Sequence, residues 1–563
     1  MKTPVFDFLK RYDSLILGVF ALTGGVFIGT FLAAPAEMEN QFFLGLSFRR
    51  FALGLFFLFF LGLNIFFLSL SRGKMGGLDR SFVAKADSVS WMISFLYMVA
   101  LVSAVAWLAM VPPVLGLFKF LRTIRDQIDH LFLWLFLLCV YLIAYLRRTY
   151  ADALREKRIV IFSERFVLYS AILVTVFFLY AHFASHIGWV NRERSVFWDI
   201  LAEQFLQGRL YIPDPPYTHD LTMYEGNWYV PMPPLPGVLV MPFVYFLGVE
   251  DFDASYFSIF FSALNGILVY LILHELKARK WIELSQAGIF TLVGLFLFGT
   301  PHLWVGISGR GWFVSQIITV FFLALSIYSA LRSRSPWVIG SFIGLAITAR
   351  PNSLMTWPFV FAISMQLIKE KQGWVSLKEA LSWSAKTALP ILLAVATLFF
   401  YNYLRFDDFL DFGYANISGD PGIVTNVQTW GMFHPYFIRA NLQAMLLEMP
   451  RFNPESRWLI EPSTVGMSIF LTTPALLYLF RFYPRDWWVI GAWVTVLFNV
   501  VLLSLYHNTG AHQFGYRYIL DMQVPLFTML AVGMKRKVPW HFVVLVLLSI
   551  AINLYGTNWF MNG

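Results

Sequence analysis

The sequence predicts an all-α polytopic membrane protein of about fifteen transmembrane helices. Three observations carry that reading. Of the 563 residues, 58% are hydrophobic and only 13% are charged, a composition too apolar for its own polar surface to cover. Apolar runs of spanning length, ~20 residues, recur along the whole chain. The basic clusters fall between alternate runs, as the preference for Lys and Arg in cytoplasmic loops requires. Soluble, disordered and fibrous classes are thereby excluded, and the formal charge of +9 reflects loop cations, with no call for nucleic acid as a partner. The single cysteine, Cys139, lies in the apolar run LFLWLFLLCVYLIAYL, so no intrachain disulfide and no zinc ribbon can form.

Runs beginning near Ser14, Phe51, Trp91 and Leu131 form an N-terminal membrane module over residues 1–150, with no assigned role. Further runs begin near Phe166, Ser255, Gln286, Phe313, Pro336, Ser353, Thr387, Val465, Trp487, Tyr518 and His541, and build a core over residues 151–563. Lys10 and Arg11 precede the first run, and no small-residue cleavage site appears before Glu37, so this run reads as a retained span. A cytoplasmic N-terminus puts Arg72 to Lys85, Arg147 to Arg165, Lys277 to Lys280, Lys369 to Lys386 and Lys535 to Lys537 inside. The basic amphipathic stretch Lys119 to His130 is left outside, where it can lie in the interface.

Two outer segments, residues 186–255 and 405–464, exceed ordinary turns and are where function is expected. In NRERSVFWDILAEQFLQGRL the apolar residues Val196, Phe197, Ile200, Leu201, Phe205 and Leu206 recur at helical spacing, which predicts an amphipathic helix on the outer leaflet that stops at Gly208. An irregular Pro-rich stretch, PDPPYTHDLTMYEGNWYVPMPPLPG, follows. The run VLVMPFVYFLG after it is too short to span and reads as a re-entrant or interfacial half-helix.

The first outer loop gathers Glu193, Asp199, Glu203, Asp214 and Asp220 among Tyr211, Tyr224, Trp228 and Tyr229. A carboxylate can take a hydroxyl proton while an aromatic face covers the apolar side of a pyranose, which is what sugar handling needs. An ordinary wetted loop with interfacial aromatics is the bland alternative. His219, beside Asp220, adds an acid/base or hydrogen-bonding group. Arg310 between two glycines, Arg350 in ITARPNSLMTWP and Arg517 next to Tyr518 put cations at outer helix ends, where charge is costly unless it snorkels or meets an anion such as a lipid phosphate. For Arg517 the competing partner is Asp521, one helical turn on. No HExxH or paired-histidine pattern marks a metal site, although the outer carboxylates leave a bound divalent cation, Mg2+ or Mn2+, open. No phosphate-cradling glycine loop is present, which argues against an ATP-driven transporter with its motor on this chain.

Together GRLYIPDPPYTHDLTMYEGNWYVPMPPLPGVLVMPF (Gly208 to Phe243), TARPNSL at Arg350, YNYLRFDDFLDFGY (Tyr401 to Tyr414), GMSIFLTTPALLYLF (Gly466 to Phe480) and FGYRYILDMQVPLF (Phe514 to Phe527) resemble bacterial multi-span glycosyltransferases of the GT-C superfamily. The protein O-mannosyltransferases and the aminoarabinose transferase are more distant relatives of that superfamily. The resemblance runs from about Phe166 to the C-terminus. It implies a GT-C-like core, a polyprenyl-phosphate-linked sugar donor, inverting transfer to a glycan, lipid or protein hydroxyl, and an acidic residue of the first outer loop as base. It also implies a bacterial plasma membrane with the site on the extracytoplasmic face. Two departures stand out. The Asp-Glu pair common after the family's first core helix is replaced by Arg192, Glu193 and Arg194, and WFVSQ (Trp312 to Gln316) lacks a histidine that relatives often carry.

The expected chemistry is therefore glycosyl transfer, with a first-loop carboxylate as base and Arg350, Arg517, Arg310 and Tyr518 around the lipid phosphate. An O-antigen polymerase or ligase working through His434 and Arg439 is the nearest rival. A flippase for lipid-linked sugar and a noncatalytic scaffold are the others. The spans hold few charges away from their ends, which disfavours the flippase.

Overall fold

The computed structural model describes residues 41–43, 46–47, 86–109, 135–146, 158–186, 197–481, 483–534 and 538–562. The runs expected from Ser14 and Phe51, the stretch Lys119 to His130, the clusters from Arg72 and Lys535, and Glu193 lie outside the described residues. The chain divides into two compact units, Met1–Val174 and Thr175–Gly563. The boundary falls inside a helix that the sequence reading gave wholly to the core.

In the first unit, strands β1 (Gln41–Phe43) and β2 (Leu46–Ser47) pair antiparallel. Helices α1 (Ala86–Ala109) and α2 (Leu135–Leu146) pack with the start of α3 (Arg158–His186) through Ile93, Leu96, Cys139, Leu142 and Val160.

The second unit is mostly helical. Helix α4 (Trp198–Leu206) leads to a hairpin of β3 (Thr222–Tyr224) and β4 (Asn227–Tyr229), then to α5 (Leu235–Leu247). Next come α6 (Ala254–Ala278), the pair α7 (Gln286–Phe298) and α8 (His302–Ser308), then α9 (Gly311–Leu331) and α10 (Pro336–Ile347). After α11 (Trp357–Gln372) and α12 (Leu377–Phe406), the second long loop carries α13 (Pro421–Trp430), α14 (Ile438–Leu442) and the short strands β5 (Arg451–Phe452) and β6 (Ile460–Glu461). The chain then forms α15 (Ile469–Thr472), α16 (Trp487–Leu505), α17 (Gln523–Val532) and α18 (Trp540–Asn562).

Among the described residues, six helices are long and apolar enough to cross a membrane: Ile159–Ser185 within α3, then α6, α9, α12, α16 and α18. The pair α7 and α8, bent by 52° at the Gly299–Pro301 break, makes a seventh if taken as one span. The half-helix expected in VLVMPFVYFLG is α5, closed by Gly248 at φ +79°. The amphipathic helix expected before it is α4, with Gly208 at φ +75° just beyond its end. The stretch read as irregular instead contains the β3/β4 hairpin. Its two turn residues, Glu225 and Gly226, take φ +48° and +79°, both positive as a tight two-residue hairpin turn demands.

Local chemistry explains the helix starts. The Asp253 carboxylate caps α6 by accepting the Ser255 N–H (2.7 Å), and Ser376 and Glu379 form a reciprocal capping box on α12. Helices α10 and α12 cross at Gly340 and Gly344. A Cβ at Gly340 would collide with the Thr387 carbonyl and the Pro390 ring, so two small residues four apart allow this close approach. Alternating helix directions gather two sets of termini. One end holds Gly309 against Ser255, together with Arg350 and Arg517. The other holds Glu275 with Arg279 (3.3 Å) and Arg332 (3.1 Å), Trp281 stacked on Trp488, and Lys369 over Trp487.

Candidate functional site

The site is built around the start of α9. Gly309 sits at φ +65°, and a Cβ there would stand 2.7 Å from the Ser255 backbone nitrogen, so only glycine fits. The chain turns there into extended Arg310 (φ −71°, ψ 151°), then Trp312 in the first turn of α9. Trp198 Nε1 donates to the Gly311 carbonyl (2.9 Å), pinning α4 to this corner and burying Asp199, which is 2% exposed.

The two long loops are fastened together. The Asp220 N–H donates to the Ser418 carbonyl (2.6 Å), Ser418 N–H to Leu221 (2.7 Å), and Thr222 Oγ1 to Gly413 (2.8 Å). Asp220 occupies the left-handed region at φ +65°, which Asp tolerates better than most residues. Trp312 Nε1 donates to its Oδ2 (2.9 Å), and His219 Nε2 stands 3.9 Å from its Oδ1. The carboxylate is thus held by backbone and indole and is partly open to solvent. Tyr217, tilted against Phe197 (ring centroids 4.9 Å apart), has its phenol pushed well above the ordinary range, first by burial and then by Asp199, with Arg310 opposing and Asp220 adding to the rise. The electrostatics of Asp199, Asp220 and Arg310 therefore meet around this one ring.

The predicted cations divide by environment. Arg350 NH2 donates to Asp521 Oδ2 (3.0 Å), which also accepts from Asn352 Nδ2 (2.8 Å), so Asp521 neutralises Arg350 and not the sequence neighbour Arg517. Arg517 is 5% exposed and has no carboxylate within 4 Å among the described residues. Its Nε donates to the Gly510 carbonyl and its NH1 to Gln316 Oε1, both 3.0 Å, while its plane faces the rings of Phe313 (5.0 Å) and Tyr518 (4.7 Å). A buried guanidinium without a counter-charge is costly, and an incoming anion lifts that cost. Tyr518 is shared, since Arg350 also lies over its ring at 5.3 Å.

Asp220, His219, Arg310, Trp312, Arg517 and Tyr518 all line one cavity of about 1240 Å3, whose far wall is α13, α14 and the segment 506–512. A smaller pocket of about 180 Å3, walled by Met232, Phe412, Phe433 and Leu502 with Arg350 and Asn352 at its base, adjoins it. Trp312, Tyr414, Tyr506 and Tyr518 line both, forming an aromatic partition between a polar chamber and an apolar slot.

The remaining predicted residues fall elsewhere. Glu203 is half-buried on α4 and Asp214 is exposed; neither lines the two cavities. Asp199 and Glu203 share a helix face, as their spacing requires. Four residues also carry Glu203 ~6 Å along the axis, away from the corner that buries Asp199. The aromatic platform is spent on packing. Tyr224 and Tyr229 meet Phe406 edge-on (5.6 and 5.3 Å), Tyr211 meets Tyr229, and Trp228 joins the apolar core under α4 and α5. Trp312, Gln316, Tyr414 and His507 had no predicted role, yet two of them carried a signal. Trp312 follows Gly-Arg-Gly, and Gln316 is an amide inside an otherwise apolar run. His507 is 8% exposed, with its backbone N–H donating to the Met432 carbonyl (2.9 Å); burial lowers its imidazole pKa to about 4, with the nearby Met432 carbonyl opposing. Among the described residues no three His, Cys, Asp or Glu side chains converge as metal ligands. A Mg2+ ion held by one or two carboxylates would take its other ligands from water and substrate phosphate.

Fold and site together define a helical protein of membrane-spanning type with a cation-bearing chamber at one end of its bundle. No family model matches the chain, and no curated protein and no solved structure matches it.

Proposed function

We propose that this protein is a GT-C-like membrane glycosyltransferase using a polyprenyl-phosphate sugar. The observation that carries the proposal is that Asp220, fixed by Trp312 and Ser418, and Arg517, a buried cation with no carboxylate within 4 Å among the described residues, line the same cavity. The acceptor hydroxyl gives its proton to the Asp220 carboxylate as its oxygen bonds to the anomeric carbon. The bond from that carbon to the phosphate oxygen breaks, and the phosphate departs on its lipid with its charge beside Arg517. Attack opposite the leaving group inverts the anomeric centre. The apolar slot behind the aromatic partition suits the first isoprene units.

In this reading the short apolar helices and the undescribed runs complete about fifteen spans. The N-terminus is cytoplasmic, the membrane is a bacterial plasma membrane, and the chamber is extracytoplasmic. The end opposite the chamber carries Arg279, Arg332, Lys369 and Arg481, as expected of a cytoplasmic face.

The test incubates purified protein with a panel of polyprenyl-phosphate sugars and follows loss of the lipid-linked donor. Asp220→Asn is expected to slow consumption by ~10²–10⁴. Arg517→Gln is expected to weaken donor binding, and Glu203→Gln to leave both near the parent values. Consumption unchanged in Asp220→Asn and Arg517→Gln would remove the site assignment. Movement of intact donor between leaflets without consumption would return the chain to the flippase class.

A further inference from the structure

The chamber is larger than one sugar phosphate requires: typical ligand pockets run ~300–1,000 Å3 against about 1240 Å3 here. Its far wall also has a distinct chemistry. Arg517 is hydrogen-bonded to Gln316 and to Gly510, at the edge of this wall, whereas the rest of the wall holds polar groups with no protein partner among the described residues. Neither the Asn426 amide nor the Thr509 hydroxyl makes a side-chain hydrogen bond there. Asn508 uses its carbonyl oxygen to accept the Gly510 N–H (2.8 Å), leaving its NH2 uncommitted. His507 Nδ1 is buried without a partner, so the ring is best carried as the Nε2–H tautomer, an uncharged donor on the open side. Arg439 on α14 is exposed and has no carboxylate within 4 Å among the described residues. By contrast, the NH2 of Asn441 beside it is taken up by the carbonyls of Phe437, Ser504 and Tyr506, while its Oδ1 has no partner among the described residues.

Resting on the glycosyltransferase reading, we propose that the acceptor is an oligosaccharide bearing an anionic group, laid along this far wall with the anion on Arg439. Amides, a hydroxyl and a neutral imidazole read sugar hydroxyls, which are donors and acceptors at once. A peptide bound by strand addition would need a sheet edge, and the wall made of α13, α14 and loop has no β-strand among the described residues. That wall sets Ile423, Val424, Val427 and Phe437 among the polar groups, a mixture that suits a saccharide, whose ring faces are apolar and whose rim is polar. A uronate carboxylate and a phosphate monoester would satisfy Arg439 equally, so the shared chemistry is an anionic saccharide.

The experiment measures binding to the full chain in lipid nanodiscs by calorimetry, using hexagalacturonate, a phosphorylated maltohexaose, plain maltohexaose and a Ser/Thr-rich decapeptide. At least one anionic sugar is expected to bind about tenfold or more tighter than maltohexaose. Arg439→Gln should abolish that preference and Arg439→Lys should restore part of it. Which anionic sugar binds better identifies the source of the charge. Equal affinity for charged and neutral sugars, tighter binding of the peptide, or a preference untouched in Arg439→Gln overturns the proposal. Undecaprenyl phosphate titrated into the same samples keeps the two readings apart: its Arg517-dependent binding tests the donor site and is expected to be indifferent to Arg439→Gln.

Discussion

At the scale of the residue, the chamber's character comes from how each polar group is satisfied. Asp220 is held by hydrogen bonds to two separate elements, its own backbone N–H donating to the Ser418 carbonyl and its carboxylate accepting from the Trp312 indole. Arg517 is oriented by a carbonyl, an amide and two ring faces, yet none of these carries a full negative charge. His507 makes a measurable statement about pH. Burial lowers its pKa from 6.5 to about 4, so above pH 6.5 it is neutral in both folded and unfolded chains. As pH falls from 6.5 to 4, the unfolded chain takes up a proton that the folded chain resists, and stability drops towards a limit of ~3 kcal/mol. His507→Gln removes that contribution. The gap in thermal midpoint between parent and variant should therefore shift against the parent between pH 7.5 and 5; a gap constant over that range would show that the imidazole titrates normally.

At the scale of the element, the structure separates what local pattern can reveal from what it cannot. Helices α4 and α5 were legible because a 3.6-residue periodicity and a run of limited length are properties of adjacent residues. The β3/β4 hairpin was not, since its Glu225–Gly226 turn lies inside a Pro-rich stretch whose composition reads as loop. For the site, the titratable types and their outer location were readable. The pairing was not: Asp521 chooses Arg350 across the bundle over Arg517 one turn away, because the 3-10 turn Arg517–Met522 does not stack residues as an α-helix would. The crossing of α10 on α12 gives a prediction at this scale. Gly340→Ile must force Thr387 and Pro390 apart and is expected to cost about 1–3 kcal/mol, read as a lowered thermal midpoint. Gly294→Ala in α7, where a Cβ meets nothing within 4 Å, should hold or raise that midpoint. If the two variants unfold alike, close approach is not what those glycines provide.

At the scale of the whole molecule, the proposed donor chemistry and the proposed orientation in the membrane depend on each other. A chamber on the cytoplasmic side would have soluble nucleotide sugars available and no need of a lipid carrier, whereas a chamber on the far side can be supplied only by a sugar that crosses on lipid. The charge distribution favours the second arrangement, with acidic Asp407, Asp408, Asp411 and Asp420 in the loop beyond α12 and basic Lys277, Arg334, Lys369 and Lys371 at the opposite helix ends. The single cysteine makes this directly testable, because Cys139→Ala leaves a background with no thiol. Thr425→Cys on α13, exposed beside the chamber, should react with a membrane-impermeant maleimide on intact cells. Arg334→Cys, exposed in the turn between α9 and α10, should react only after the membrane is opened. The reverse pattern would put Asp220 and Arg517 in the cytosol, and the lipid-phosphate donor would then have to be abandoned even if the chamber bound sugar.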